Sequence, residues 1–121
     1  MPEKIGDGPA GSIVEVPPAT LRVAGATLPA GGGAYFRILS EHLTHAALRQ
    51  AARRDKPATF YIHPWELDAG QPRVPVSSLT RVRHYGRLHT VAGKLDRLLA
   101  KHHFRPIAET LLLENSWQAA H

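Results

Sequence analysis

Apolar residues along this chain of 121 residues come in short blocks divided by proline and glycine, and the period within the blocks changes along the sequence. Ile13-Val14-Glu15-Val16 reads as a short strand stopped by Pro17-Pro18. Thr20 to Val23, then Ala24-Gly25-Ala26, then Thr27-Leu28 predict a small hairpin around a glycine turn, closed by Pro29. From Leu39 the period lengthens. Leu39, Leu43, Ala46/Ala47 and Ala51 recur at helical spacing behind an N-cap at Ser40, with Glu41 in the first turn. That predicts an amphipathic helix to about Arg54, broken by Asp55-Lys56-Pro57. A second apolar run, Thr59-Phe60-Tyr61-Ile62-His63, then reads as a buried strand, because Phe60, Tyr61 and Ile62 are aromatic or β-branched. Pro64 ends it and biases His63 toward an extended conformation.

Beyond a Gly/Pro-rich loop from Ala69 to Pro75, Ser77 or Ser78 can cap a further helical region. Leu79, Val82, Tyr85, Leu88, Val91, Leu95, Leu98 and Leu99 keep helical spacing as far as His103, with Gly86 and Gly93 as potential interruptions. Phe104-Arg105-Pro106-Ile107 is a candidate last strand, and Ala108 to Leu113 a short apolar helix or extension. Residues 1–11 read as a disordered linker, 12–113 as the one domain, and 114–121 as a flexible tail. The alternation of strand and helix predicts α/β architecture with parallel strands. Three or so main strands are too few for a parallel sheet covered on both faces, so the chain reads as part of a larger α/β unit.

Composition narrows the chemistry. The absence of cysteine removes disulfides, thiolate metal sites and cysteine nucleophiles, and fits a reducing, cytoplasmic setting. No apolar run is long enough to span a bilayer, and Met1-Pro2-Glu3-Lys4 lacks a signal-peptide core. The net charge of +5 invites a nucleic-acid partner. Its distribution argues against one. Arg49, Arg53, Arg54 and Lys56 suit the dipole at one helix end, and the aromatic residues do not interleave with the cations as a stacking platform requires.

Most individual motifs favour plain readings. Gly31-Gly32-Gly33 matches neither phosphate-loop pattern, with no strand-to-helix turn following directly, and reads as backbone that bends sharply or approaches another surface closely. His42 and His45 are spaced to share a metal, but nothing completes the set, and a solvated helix face is the better reading. His102 and His103 read as partners of a helix dipole, and His84 and His89 carry no specific signal. The serines occupy caps, turns and tails, with no nucleophile elbow. His63 stands apart, as a titratable group at the carboxyl end of a strand, where α/β proteins place ligands and catalytic groups. Capping of that strand end is the structural alternative. Trp65 just beyond it would line a cleft mouth.

The segment Phe60-Tyr61-Ile62-His63-Pro64-Trp65-Glu66-Leu67-Asp68 resembles the FYLHPWE-x-D segment of bacterial polysaccharide deacetylases of the NodB-homology type. More specifically, it resembles the subgroup associated with exosortase (PEP-CTERM) exopolysaccharide loci, and that subgroup's own C-terminal region. Glu15-Val16-Pro17 with Thr20-Leu21-Arg22, Leu28-Pro29 through Gly31 to Arg37, and Arg83-His84-Tyr85 agree in order, so the resemblance spans roughly residues 12–112. It implies the C-terminal portion of a distorted (β/α) barrel, with a small N-terminal β-hairpin region. The implied activity is metal-dependent removal of N- or O-acetyl groups from a polysaccharide. The metal, zinc by resemblance, is held in such enzymes by TFDD-like and HSxxH-like motifs that this sequence does not contain, so no metal ligand is assigned here. The implied partners are acetylated polysaccharide and the remaining N-terminal part of such a catalytic domain. Within the resemblance His63 is the catalytic acid. Tyr61 falls where the family has an apolar residue against the acetyl methyl, and Trp65, Tyr35 and Arg37 join it as expected substrate contacts. The acidic partner of the histidine comes from another motif in that family, and Glu66 is given no role. A non-catalytic module that binds glycan or a partner protein through Trp65, Tyr35 and the basic residues is the alternative from a different class.

Overall fold

The structure, a computed structural model, describes residues 3–8 and 11–111. Two antiparallel strand pairs open the chain. In the first, β1 (Glu3–Gly8) runs against β2 (Gly11–Glu15), with Glu3 opposite Glu15 and Ile5 opposite Ile13. The linker expected over residues 1–11 therefore gives way to a paired strand over Glu3–Gly8. Ladder bonds belong to the backbone, so a polar, glycine-containing segment can pair once an apolar strand is adjacent. In the second pair β3 (Thr20–Val23) meets β4 (Ala26–Pro29), with Val23 opposite Ala26. Ala24 and Gly25 both have positive φ, 48° and 83°, as a two-residue hairpin turn requires.

The segment around Thr59 to Ile62 is the junction of the molecule. It forms two isolated parallel bridges, Pro18 with Thr59 and Gly32 with Tyr61. Ala19 N donates to Thr59 O at 2.8 Å, and Tyr61 N donates to Gly31 O at 2.8 Å. The expected parallel sheet is reduced to these bridges, because Pro17, Pro18 and Pro29 cannot donate to a ladder. The fold is mixed α/β, with small antiparallel pairs and several helices. Gly32, at φ 125°, lies so close to this segment that a Cβ would sit 1.8 Å from the Tyr61 carbonyl oxygen. The expectation of close approach at the glycines thus holds. A helix does follow them directly, however: α1 (Gly33–Ile38) is too short to show a period in the sequence.

Ser40 caps α2 (Glu41–Ala52) by accepting from His42 N. Leu39 has extended backbone and ends α1 instead of opening α2. The second helical region is broken where Gly86 predicted a break, into α3 (Ser78–Tyr85) and α4 (Val91–Lys101), with a 3-10 turn (Leu88–Thr90) before α4. Gly93 lies inside α4 without interrupting it. Phe104 to Ile107 is not a strand. Residues 107–111 are helical, as Pro106 cannot serve a ladder but suits a helix start. The proposed tail, 114–121, lies outside the described residues.

The core joins Ala19, Leu21, Ala30, Phe36, Ala47, Leu48, Val91 and Leu98, with Phe60, Ile62 and Leu95 packed against it. Phe36 meets Phe60 edge-on at 4.9 Å, and full burial of such a ring is worth about 1.5–3 kcal/mol. α4 turns Val91, Lys94 and Leu98 inward. The Lys94 ammonium donates to the Phe36, Arg37 and Leu39 carbonyls at 3.0, 3.1 and 2.9 Å, capping α1 with a buried cation. Arg97 clamps α4 to α2 through two 2.8 Å bonds to Glu41, whose carboxyl that contact holds below its usual pKa. Leu79 and Val82, expected on a buried stripe, are exposed, and α3 buries none of its residues. No helix among the described residues is long and apolar enough to cross a membrane.

Candidate active site

His63 leaves the junction segment in extended conformation, φ −89° and ψ 139°, as a following proline demands. Pro64 then opens a 3-10 turn (Pro64–Leu67), its fixed φ suiting the first helical position. The turn folds Glu66 back onto His63. Glu66 N donates to the His63 carbonyl at 2.9 Å, and Glu66 Oε2 accepts from His63 N at 3.1 Å. The same oxygen lies 3.1 Å from His63 Nδ1. The other, Oε1, accepts from the Arg37 guanidinium at 2.7 Å. Both partners of that ion pair are enclosed, Arg37 at 2% and Glu66 at 1% exposure.

These contacts set the chemistry of the imidazole. A carboxylate only accepts, so the proton on the Glu66 side resides on Nδ1. The ring stands 53% exposed, and its Nε2 has no hydrogen-bond partner among the described residues. A buried carboxylate left alone would be costly; Arg37 neutralises it and keeps it facing His63. Arg37 also donates to the Arg83 carbonyl, and its guanidinium lies 5.1 Å from the centre of the Trp65 ring. One buried arginine therefore ties α1 to the turn that carries His63 and Trp65, and to the end of α3.

The expected site residues separate by place. His63, Tyr61 and Trp65 come together: Tyr61 meets His63 edge-on at 5.6 Å, and His63 stacks on Trp65 at 6.0 Å. Tyr61 is 41% exposed, its phenol packed so near Gly33 that a Cβ there would stand 2.7 Å from the hydroxyl. Arg37 does not reach the surface. Expected as a substrate contact, it is instead buried behind Glu66, with its NH1 and NH2 engaged by protein acceptors. Tyr35 is exposed on α1, and no ring contact joins it to this group among the described residues. Glu66 and His84 were not singled out by sequence. Glu66 carried a readable signal, an acid three residues after the residue preceding a Pro-led turn, the spacing of a capping box. His84 carried only its place in the Arg83-His84-Tyr85 segment of the resemblance, and its contact with Trp65 at 6.1 Å joins segments too distant for sequence to predict.

The other histidines depart from their expected surroundings. His45 is buried, not on a solvated face, and its Nδ1 lies 2.9 Å from His102 Nε2. Helix α2 turns this side chain toward the end of α4, so His102 partners His45 instead of a helix dipole alone. Burial, then the neighbouring His102 and Lys101 charges, push the His45 pKa down, and burial lowers that of His102. His42 is exposed and does not join them. Among the described residues no cluster of three or more His, Asp or Glu could hold a metal ion.

The sequence that builds this turn-held histidine matches a known family, the domain of unknown function DUF3473, over residues 3–112. The chain belongs to this family. As a DUF3473 domain it has no match among curated proteins, and none among solved structures.

Proposed function

We propose that this DUF3473 chain is the C-terminal part of a metal-dependent polysaccharide deacetylase, with His63 as the acid that protonates the leaving group. The single observation that carries the reading is the Arg37–Glu66–His63 array: a buried ion pair that orients an exposed imidazole at the end of the junction segment. The resemblance of residues 60–68 to the deacetylase segment, and the association of DUF3473 with polysaccharide deacetylase-like proteins, support it. On this reading the described elements belong to the C-terminal portion of a distorted (β/α) barrel, and the metal is held by motifs outside this sequence.

Loss of an acetyl group as acetate requires a proton on the departing nitrogen or oxygen. Imidazole is suited to that task because its ordinary titration range straddles neutrality. With Nδ1 held by Glu66, the transferable proton is the one on Nε2 of the imidazolium. It passes to the leaving atom, and the neutral ring remains bonded to Glu66 through Nδ1. Tyr61 and Trp65 flank the ring and bound the space in which an acetylated sugar can approach.

The test is turnover of acetylated polysaccharide by a deacetylase carrying this segment. His63→Ala should lower kcat by about 10²–10⁴-fold, the usual worth of a general acid, with metal content unchanged. Loss of metal in that variant would make His63 a ligand and overturn the assignment. The 121-residue chain alone should show no metal-dependent deacetylation, and measurable turnover by it would refute the reading of a partial site.

A further inference from the structure

The rings around His63 do not end with its own turn. Tyr61, His63, Trp65, His84 and Tyr85 form an unbroken row, with successive centroids 5.6, 6.0, 6.1 and 6.3 Å apart. Tyr61, His63 and His84 are exposed, and Trp65 and Tyr85 are half-buried, so core packing does not account for the row. It is nevertheless rigidly supported. The Arg37 guanidinium lies over the buried face of the Trp65 ring and holds the Arg83 carbonyl, which fixes the turn that presents His84. The Tyr85 hydroxyl accepts from Val74 N at 3.2 Å, fixing the far end.

Such a face, apolar across the rings and polar at the imidazole edges, complements a pyranose, whose C–H faces are apolar and whose rim carries hydroxyls. Its charge selects further. Arg73 lies 5.7 Å from the centre of the Tyr85 ring, Arg81 is one turn before His84 on α3, and neither has an ion-pair partner among the described residues. The carboxylate inside the array, Glu66, is buried and neutralised by Arg37, so it offsets little of that field. Asp68 is the exposed acid on the same turn, and its Oδ1 is engaged by Gly70 N.

We infer that this row is a saccharide subsite for an acidic polysaccharide, in which a sugar ring packs along the exposed edge of the row at Trp65, between His63 and His84, making His84 a substrate-contacting residue. This deepens the deacetylase reading and rests on it for the choice of a polysaccharide. Carboxylates of neighbouring residues in the polymer face Arg73 and Arg81, and the acetylated sugar presents its leaving atom to His63.

The experiment is a titration of the 121-residue chain, followed by NMR of the histidine and tryptophan ring resonances. Two hexasaccharides serve as probes, one alternating glucuronate with N-acetylglucosamine, the other N-acetylglucosamine throughout. Expected are shifts at Trp65, His63 and His84, tighter binding of the acidic probe, and loss of its advantage in added salt or in Arg73→Ala/Arg81→Ala. His84→Ala should weaken binding by about tenfold, equivalent to ~1.4 kcal/mol, and His84→Phe should restore part of it by keeping a flat ring. A fold-preserving His84→Ala or His84→Gln with unchanged affinity, equal binding of the two probes, or shifts confined to other residues would overturn the inference. Failure of the deacetylase reading looks different: binding at this row would persist while His63→Ala left turnover in the larger enzyme intact. Turnover that needs His63, with no ring shifts from either probe, would remove the subsite alone.

Discussion

Glu66 accepts hydrogen bonds from His63 and from Arg37 while almost wholly enclosed, so its removal separates two effects. Glu66→Ala leaves the Arg37 guanidinium buried without its counter-charge, and breaking a buried pair in this way costs about 3–5 kcal/mol. Replacing both partners, Glu66→Ala with Arg37→Met, should recover much of that loss, because an apolar pair leaves no stranded charge. Urea unfolding of the two variants checks this, and a cost of less than about 1 kcal/mol for the single change would contradict a buried pair. The local half of this array was legible. A histidine, a proline and an acid within four residues encode a turn that returns the acid to the histidine backbone. Arg37 was not legible in the same way. It lies 29 positions from Glu66, and exposed and buried arginines look identical in a sequence.

Between elements, the His45–His102 contact links α2 to the residue that ends α4, in a neighbourhood that includes Glu41, Arg49 and Lys101. Burial lowers both pKa values in the fold, whereas an unfolded histidine titrates near ~6.5. The unfolded chain therefore binds more protons in the window below that value, and stability must fall as pH drops from about 6.5 toward the folded values. Above about 6.5 the contribution is complete. Unfolding free energies measured at about pH 7.5 and about pH 5 should differ more for the native chain than for His45→Gln/His102→Gln, and equal differences would exclude this pair as the source. The cap on α1 is a second contact of this kind. Lys94→Met removes all three donors from the Phe36, Arg37 and Leu39 carbonyls and should cost about 1–3 kcal/mol, with faster amide exchange in the loop after α1. The helices themselves were readable from the periods of Leu43 to Ala51 and Val91 to Leu98, and Ser40 marked the N-terminus of α2. Which faces they buried was less so, since His45 and Lys94 point inward and Leu79 and Val82 outward.

Across the whole molecule, the junction at Thr59 to Tyr61 joins Pro18, before the second hairpin, to Gly32, after it, and Gly32 is its tightest point. Gly32→Ala would place a methyl 1.8 Å from the Tyr61 carbonyl oxygen at φ 125°, whereas Gly25→Ala at φ 83° meets nothing within 4 Å. The turn substitution should cost about 1 kcal/mol and the junction substitution distinctly more, compared by thermal unfolding of the two variants. Equal costs would mean that backbone conformation alone, and not close approach, requires Gly32. The sequence alone determined the features that depend on neighbours along the chain: the β3–β4 turn, the cap at Ser40 and the extended backbone of His63 before Pro64, while it left the second cap open between Ser77 and Ser78 and the break open between Gly86 and Gly93. These features arise from φ restrictions, local donors and short periods, all of which act over a few residues. Tertiary structure alone decided that the parallel alternation closes as two bridges, that Arg37 lies behind Glu66, and that His84 extends the ring row begun by Tyr61. Those outcomes depend on which distant groups share an interior, where a buried charge must find its counter-charge and an aromatic ring its neighbours.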